Sequence, residues 1–470
     1  MLKSFKQWIN KFNLPLCSLG IEYKLFVLGL MLMPYDGIPI LPFTYRPLSV
    51  FPICLSGIVF LTKHRLKISE YAFRHKYLFC FAVVAIVIST IQTLIIGGEP
   101  VRYIKFFFTG CLGLAIYLTF FELLRYCYSS IGVSKTVDSV FRIVAAAYIP
   151  ALLLGLIELF SIYGIIDPKI NSFLMPIFGG WQPDRIYITS REASWASVHM
   201  LIASCAYLHC LTASRKPLYI IPLVIAAFLF LMTKSMQGVL IFVTGMIVYI
   251  VWYCCTCGSL KRALLVMGLF CIFAVFGYVG LYIVMSMQPG YYYAQRFLSI
   301  NSFESVINLI YQDPSSFVRL VSPIIGIGMM LSYFPVGIGG CMFSVHYPDF
   351  INTHFSWSVK YPEVFAYCSG IAEASPFCLY TRFMAEFGIF GLLFVLAIFS
   401  CVFFGLRQFV NKKNTGIFIP FVFIMLAFPL QFDSYYNVPF LLAIALAMCA
   451  EAVGRAKGEQ YMMCGKQYLG

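Results

Sequence analysis

Charge is what this sequence has least of. Only 11% of its 470 residues are Asp, Glu, Lys or Arg, and Asp and Glu together number 19. A soluble globular chain is about a quarter charged and about half apolar. Here 61% of residues are hydrophobic and the mean hydropathy is +0.86. No core of this size hides so much apolar surface from water, so the composition excludes a soluble enzyme and makes a bilayer the solvent for most of the chain. Also missing are HExxH, a Walker loop, GxGxxG and GxSxG, which leaves the common soluble hydrolase and nucleotide chemistries without support. No internal repeat or low-complexity tract is visible. No nucleic-acid module accompanies the net charge of +14, so that excess reads as the Lys/Arg bias of loops retained in the cytoplasm and not as a nucleic-acid partner.

Cysteine is plentiful but unpatterned. Of the seventeen, Cys80, Cys111, Cys205 and Cys401 sit in apolar segments and act as small hydrophobes. Cys254, Cys255 and Cys257 lack the His or second Cys pair of a zinc site. Cys341, Cys368 and Cys378 fall in an expected external loop, where one disulfide among them is compatible with the spacing.

What the chain does have is long apolar runs. A spanning helix needs roughly 20 such residues. The hydropathy predicts twelve spans, near 21–35, 47–62, 76–96, 102–125, 138–163, 194–211, 218–233, 238–256, 264–286, 387–406, 417–430 and 438–452. The start, MLKSFKQWINKFNLPL, sets Phe5, Trp8, Ile9 and Phe12 apart from Lys3, Lys6 and Lys11. It predicts an amphipathic helix over 1–20 on the cytoplasmic membrane surface, not a cleaved signal. With this topology both termini are cytoplasmic, and roughly two-thirds of the 33 Lys and Arg residues fall at the inner face, as the positive-inside rule requires. Two external loops are long, 164–193 and 287–380. The larger contains helix-like stretches at FESVINLIYQ and SSFVRLVSPIIGIGMMLSYF; Pro323 is expected to break the second, so that it lies along the outer face and does not span. The expected fold is an all-α polytopic membrane protein with about twelve transmembrane helices and a large periplasmic loop carrying short helices.

The external cations invite a function. Arg46, Arg102, Lys105, Arg185, Arg191, Lys234, Arg296, Arg319 and Arg382 all fall at the outer face, where the positive-inside rule disfavours them and where charge beside an apolar bundle is costly unless paired or functional. Three clusters stand out. Arg191-Glu192-Ala-Ser194 opens the sixth span, with Ser194 as a candidate N-cap. Thr233-Lys234-Ser235-Met-Gln237-Gly238 is a tight outer turn. Asp313-Pro-Ser-Ser316-Phe-Val-Arg319 precedes Phe334-Pro335-Val-Gly337-Ile-Gly339-Gly340. Each also fits a purely structural role: a capped helix with an Arg–Glu pair, a snorkelling lysine, an interfacial arginine. Together, on one side of the membrane, they suit an anion site, because the planar fork of Arg binds two phosphate oxygens at once. Among the histidines, His64 and His75 read as solvated, His199 and His209 as core, and His346 and His354 as external acid/base candidates. No Asp/Glu/His cluster has metal-ligand spacing, so neither a metal nor another cofactor is expected.

Over residues 185–400 the arrangement resembles the superfamily of bacterial O-antigen polymerases and O-antigen ligases. The resemblance rests on Glu192-x-Ser194 opening a span, the Thr-x-Ser turn at 233–235, and Arg319 ahead of Pro335-x-Gly337-x-Gly339. The closing Arg382-Phe-Met-Ala-Glu386-Phe-Gly388-Ile-Phe-Gly391 is its most family-like element; the N-terminal third matches in hydropathy alone. The family turn usually reads Thr-x-Ser-Arg, whereas here Met236 follows and Lys234 is the nearest cation. The ligases carry a His-Asn pair about nine residues before the Ala-Glu-x-Gly element; here Glu373-Ala-Ser-Pro-Phe377 stands in that place, which favours a polymerase.

The resemblance implies a GT-C-like architecture and a location in the bacterial inner membrane. It implies a donor glycan on undecaprenyl pyrophosphate, a second lipid-linked repeat unit as acceptor, surrounding membrane lipids, and a chain-length regulator protein as a further partner. Arg191, Lys234, Arg319 and Arg382 would bind the pyrophosphate, stabilising the departing charge without a metal. Glu373 is the first candidate for the base that takes the acceptor proton and His354 the second. Glu192, Glu363 and His346 are further candidates, with Glu192, next to Arg191, expected chiefly to orient that cation. The alternatives are a ligase that transfers the finished chain to a lipid A core, and a non-enzymatic flippase for the same lipid-linked sugars, although the absence of repeats disfavours the latter.

Overall fold

The computed structural model describes residues 20–38, 45–64, 75–96, 100–178, 185–257, 314–410 and 417–449, with isolated positions between 268 and 308. The amphipathic helix expected at 1–20, the span at 264–286 and the first part of the large loop fall outside the described residues, single positions apart. Among the described residues the chain is all-α. Its helices are α1 (Ile21–Met31), α2 (Val50–His64), α3 (Lys76–Ile96), α4 (Pro100–Ser130), α5 (Val133–Ile162), α6 (Lys169–Phe178), α7 (Ala193–Ser214), α8 (Ile220–Met232), α9 (Met236–Cys257), α10 (Pro314–Ser332), α11 (Phe343–His354), α12 (Pro362–Cys368), α13 (Leu379–Arg407), α14 (Phe418–Ala427) and α15 (Val438–Cys449).

Six of these, α3, α4, α5, α7, α9 and α13, are long and apolar enough to cross a membrane. Helices α2, α14 and α15 are shorter and apolar. Membrane helices need no aqueous face, and the exposed positions of α3 and α4 are correspondingly Val83, Val87, Ile91, Leu94, Ile104, Phe107 and Phe108. α4 carries no charged residue from Phe106 to Phe121. At about 1.5 Å per residue that stretch covers roughly 24 Å, close to the hydrocarbon thickness. Its two ends therefore mark two polar levels. At one, Glu122 meets His75 at 3.1 Å and Arg125 at 3.0 Å, and Lys63 meets Glu22 at 2.7 Å. At the other stand Arg102 and Lys105.

The main core runs through α1, α2, α4, α5, α7, α14 and α15. Buried polar side chains tie its first loops down. The Glu158 carboxylate on α5 accepts the backbone N–H groups of Tyr187 and Ile188 at 2.7–3.0 Å. His199 on α7 bridges Asp36 at 2.9 Å and Tyr148 at 2.6 Å. These contacts set the first turns of α7.

A second, smaller core is built from α10, α11 and α12, including Phe317, Val321, Ile325, Tyr347, Ile351 and Val364, and it packs against α13. One expectation fails here. Pro323 does not break its segment: α10 runs unbroken from Pro314 to Ser332 around it. The proline lacks the N–H that would bond the Arg319 carbonyl one turn earlier, and packing of the apolar face on α13 and the small core holds the helix regardless.

Candidate functional site

The local structure around α13 explains two of the sequence motifs together. Gly388 sits inside α13 at φ 56° and ψ −129°, interrupting the helix. The interruption frees backbone groups, and the glycine loop of 335–341 takes them up. Ile338 N–H donates to the Ala385 carbonyl at 2.9 Å, Gly339 N–H to the Glu386 carbonyl at 2.8 Å, and Ile389 N–H to the Pro335 carbonyl at 3.0 Å. A Cβ on Gly388 would lie 2.1 Å from the Pro335 oxygen, and one on Gly337, at φ +86°, would lie 2.6 Å from the Gly388 nitrogen. Helix α3 clamps the same loop: Gln92 donates to the Gly337 carbonyl at 2.8 Å, and Gly340 N–H donates to Ser89 Oγ at 2.9 Å.

This junction forms one wall of a cavity of about 600 Å³. The cavity gathers the N-terminal ends of α4, α7, α9 and α13, with Arg319 of α10, the segments 341–344 and 373–377, and the α14–α15 connection. Its lining holds four cations, Arg102, Lys105, Arg319 and Arg382, and four carboxylates, Glu192, Glu373, Glu386 and Asp433.

Arg382 is the most constrained. Nε donates to Glu386 Oε1 at 2.9 Å, Nη1 to the Asp433 carbonyl at 3.0 Å and its carboxylate at 3.3 Å, and Nη2 to Cys341 Sγ at 3.1 Å. Its guanidinium also lies over the Tyr435 ring, 4.3 Å from the centroid. Glu386, fully buried, accepts a second bond from the Cys341 N–H at 2.9 Å. Arg319 is looser. It bonds Gln237 Oε1, lies 3.8 Å from Glu192 and sits over the Phe377 ring. Gln237 is itself held by donating to the Gln431 carbonyl at 2.7 Å. Across the cavity, Lys105 pairs with Glu373, and Arg102 bonds Ser344 and lies 3.8 Å from Glu373. Burial pushes the Glu373 carboxyl up, but Lys105, Arg102 and Arg382 outweigh it and hold the group below its ordinary value.

Of the residues singled out from sequence, the cavity brings together Arg319, Arg382, Glu192 and Glu373. Arg191 is half-buried and outside its lining. Lys234 is buried in the three-residue turn between α8 and α9, at φ 49°, also outside the lining; Arg185 binds the Thr233 and Lys234 carbonyls there, at 3.1 and 3.2 Å. It is Gln237, just after that turn in the first turn of α9, that reaches the cavity. His354 is exposed at the end of α11 against Phe350, and His346 bonds Tyr333 at 2.9 Å; neither lines the cavity, nor does Glu363.

Three local expectations change. Ser194 does not cap α7: Glu192 occupies the N-cap, and Ser194 Oγ donates to its carboxylate at 3.0 Å. Glu192 meets Arg319 where Arg191 was expected. Glu373 itself stands on the irregular segment 373–378, ahead of α13, which starts at Leu379. Cys341, Cys368 and Cys378 are free thiols. Arg102 and Lys105 were recognisable only as outer-face cations, and Asp433 only as the sole charged residue between the last two apolar helices. Among the described residues, no group of three His, Cys, Asp or Glu side chains is placed to hold a metal.

The chain matches no protein-family profile, no curated protein and no solved structure. The apolar helices are those of a multi-pass membrane protein, and any narrower reading rests on the cavity.

Proposed function

We propose that this protein is an O-antigen polymerase of the bacterial inner membrane, with the cavity at the periplasmic face and both termini in the cytoplasm. The observation that carries the reading is the convergence of Arg102, Lys105, Arg319 and Arg382 on one cavity at one end of an apolar helix bundle. A lipid-linked pyrophosphate presents its charge at that level while its isoprenoid tail stays in the bilayer. The volume is within the range of ligand sites, about 300–1,000 Å³.

In the reaction a hydroxyl oxygen of one undecaprenyl-pyrophosphate-linked repeat unit attacks the anomeric carbon of a second. The bond from that carbon to the phosphate oxygen breaks, undecaprenyl pyrophosphate leaves with the electron pair, and a carboxylate takes the hydroxyl proton. Arg319, partly exposed and held at Gln237 and Phe377, is placed to stabilise the leaving charge. Arg382, whose nitrogens are engaged within the wall, orders the site. Glu373 and Glu192 are the most exposed of the four lining carboxylates and are not bonded to Arg382.

Deletion of the gene followed by electrophoresis of surface lipopolysaccharide tests the reading. Loss of a polymerase leaves core plus one repeat unit. Bare core would overturn the proposal in favour of a ligase or a flippase.

A further inference from the structure

The four cavity cations are not held alike. Arg382 has its three nitrogens engaged inside the wall, against partners on its own helix, on 433 and on 341. Arg102 and Lys105, one turn apart on α4, share a different kind of partner. Glu373 belongs to the irregular segment between α12 and α13, its side chain is 55% exposed, and the residues before it, Ile371 and Ala372, are exposed as well. Its two oxygens face the two cations separately, Oε1 toward Arg102 at 3.8 Å and Oε2 toward Lys105. Ser344 adds a hydroxyl beside Arg102. Two cations around two carboxylate oxygens, with a hydroxyl on one of the cations, at the edge of a cavity whose formal charges already balance, form an anion site filled from within. Displacement of a carboxylate is the direct way for such a balanced cavity to take an anionic ligand without excess negative charge. Glu373 is the most exposed of the four carboxylates and is carried by an irregular segment: Glu386 and Asp433 are anchored by Arg382, and Glu192 lies at the N-cap of α7 with a bond from Ser194.

We infer that Arg102, Lys105 and Ser344 form a subsite for a phosphate or pyrophosphate group, and that Glu373 occupies it in the ligand-free protein and is displaced when the anion binds. The inference deepens the proposed function, naming where the pyrophosphate rests, but it concerns binding and needs no glycosyl transfer. Displacement also frees the Glu373 carboxylate from its cations at the moment the donor arrives, so its proton affinity rises only when there is a substrate to act on.

The test is binding of inorganic pyrophosphate to the purified full-length protein by calorimetry. An exposed ion pair is worth up to about 1 kcal/mol, so removing the internal competitor by Glu373→Gln should tighten pyrophosphate binding roughly 3- to 5-fold. Lys105→Gln should weaken it, and the double variant should bind more weakly than Glu373→Gln alone. A fluorescent amino acid placed at Ile371, an exposed position, should report movement of the segment on adding pyrophosphate to the otherwise native protein and no movement in the Lys105→Gln background. Unchanged or weaker binding in Glu373→Gln, or a silent fluorophore in the native background, would overturn the subsite. Because neither measurement depends on polymerisation, tight binding with normal lipopolysaccharide after gene deletion would sink the polymerase reading and leave the subsite standing.

Discussion

Arg382 and Glu386 stand one turn apart on α13, with Nε 2.9 Å from Oε1, and they join the two most motif-like parts of the chain. The glutamate is fully buried and also takes the Cys341 N–H; the arginine reaches on to Asp433. The pair thus fastens the glycine loop, the broken helix and the α14–α15 connection to one another.

Removing one member leaves the other charge stranded. Loss of one partner of a buried ion pair typically costs about 3–5 kcal/mol. Arg382→Ala should therefore lower the amount of protein in the membrane and its melting temperature in detergent, along with any polymer. Normal accumulation with lost polymer would move Arg382 from the scaffold to the substrate.

Arg319 should behave differently. It is partly exposed and bonds a neutral amide, so Arg319→Ala should accumulate normally while long chains disappear from the gel. Loss of one donor to a developing anion typically costs about 100- to 1,000-fold in rate. Arg319→Lys should restore only part of the activity, since a point charge cannot make a bidentate contact. Wild-type chain lengths in Arg319→Ala would remove it from the site.

Gly388 is the position where the backbone leaves no choice. At φ 56° and ψ −129°, with the Pro335 oxygen 2.1 Å from where a Cβ would be, Gly388→Ala must displace the glycine loop. A cost above about 1–3 kcal/mol is expected, seen as lower thermal stability and greater protease sensitivity. Gly132→Ala is the comparison: its φ is also positive at +88°, but nothing lies within 4 Å, so only the conformational strain remains and the loss should be smaller.

The sequence made the apolar helices legible because lipid imposes one simple rule, length and hydrophobicity, on each. The spans expected at 76–96, 194–211 and 238–256 lie within a few residues of α3, α7 and α9. Pro323 misled because a local breaker was weighed without the core that packs around it. Within the site, Arg382 and Glu386 were visible as an i, i+4 motif. The Lys105–Glu373 contact was not, since 268 positions separate its partners and no local pattern links them. The turn at 233–235 pointed to the right place and the wrong side chain: its left-handed residue is Lys234, buried outside the cavity, while Gln237, in the first turn of α9, reaches Arg319.

Glu373 remains the first candidate for the base, and its surroundings make that testable by pH. Burial raises its proton affinity, and Lys105, Arg102 and Arg382 more than reverse this. The depressed folded value means that the stabilising tie to α4 is complete above the ordinary glutamate value, about 4.3, and is lost as pH falls through the lower folded value. The acid limb of kcat/KM, which reports the free enzyme, should accordingly lie below the ordinary glutamate range. The acid limb of kcat reports the substrate complex. With the donor on Arg102 and Lys105, the freed carboxylate should titrate at a higher pH than in the free enzyme. Lys105→Gln should raise the kcat/KM limb toward the kcat limb, because the largest opposing cation is gone. Glu373→Gln, which keeps size and removes basicity, should abolish both limbs along with most of the rate. If Glu373→Gln polymerises at the native rate, Glu373 is not the base, and the proton passes to Glu192, the next most exposed carboxylate of the lining.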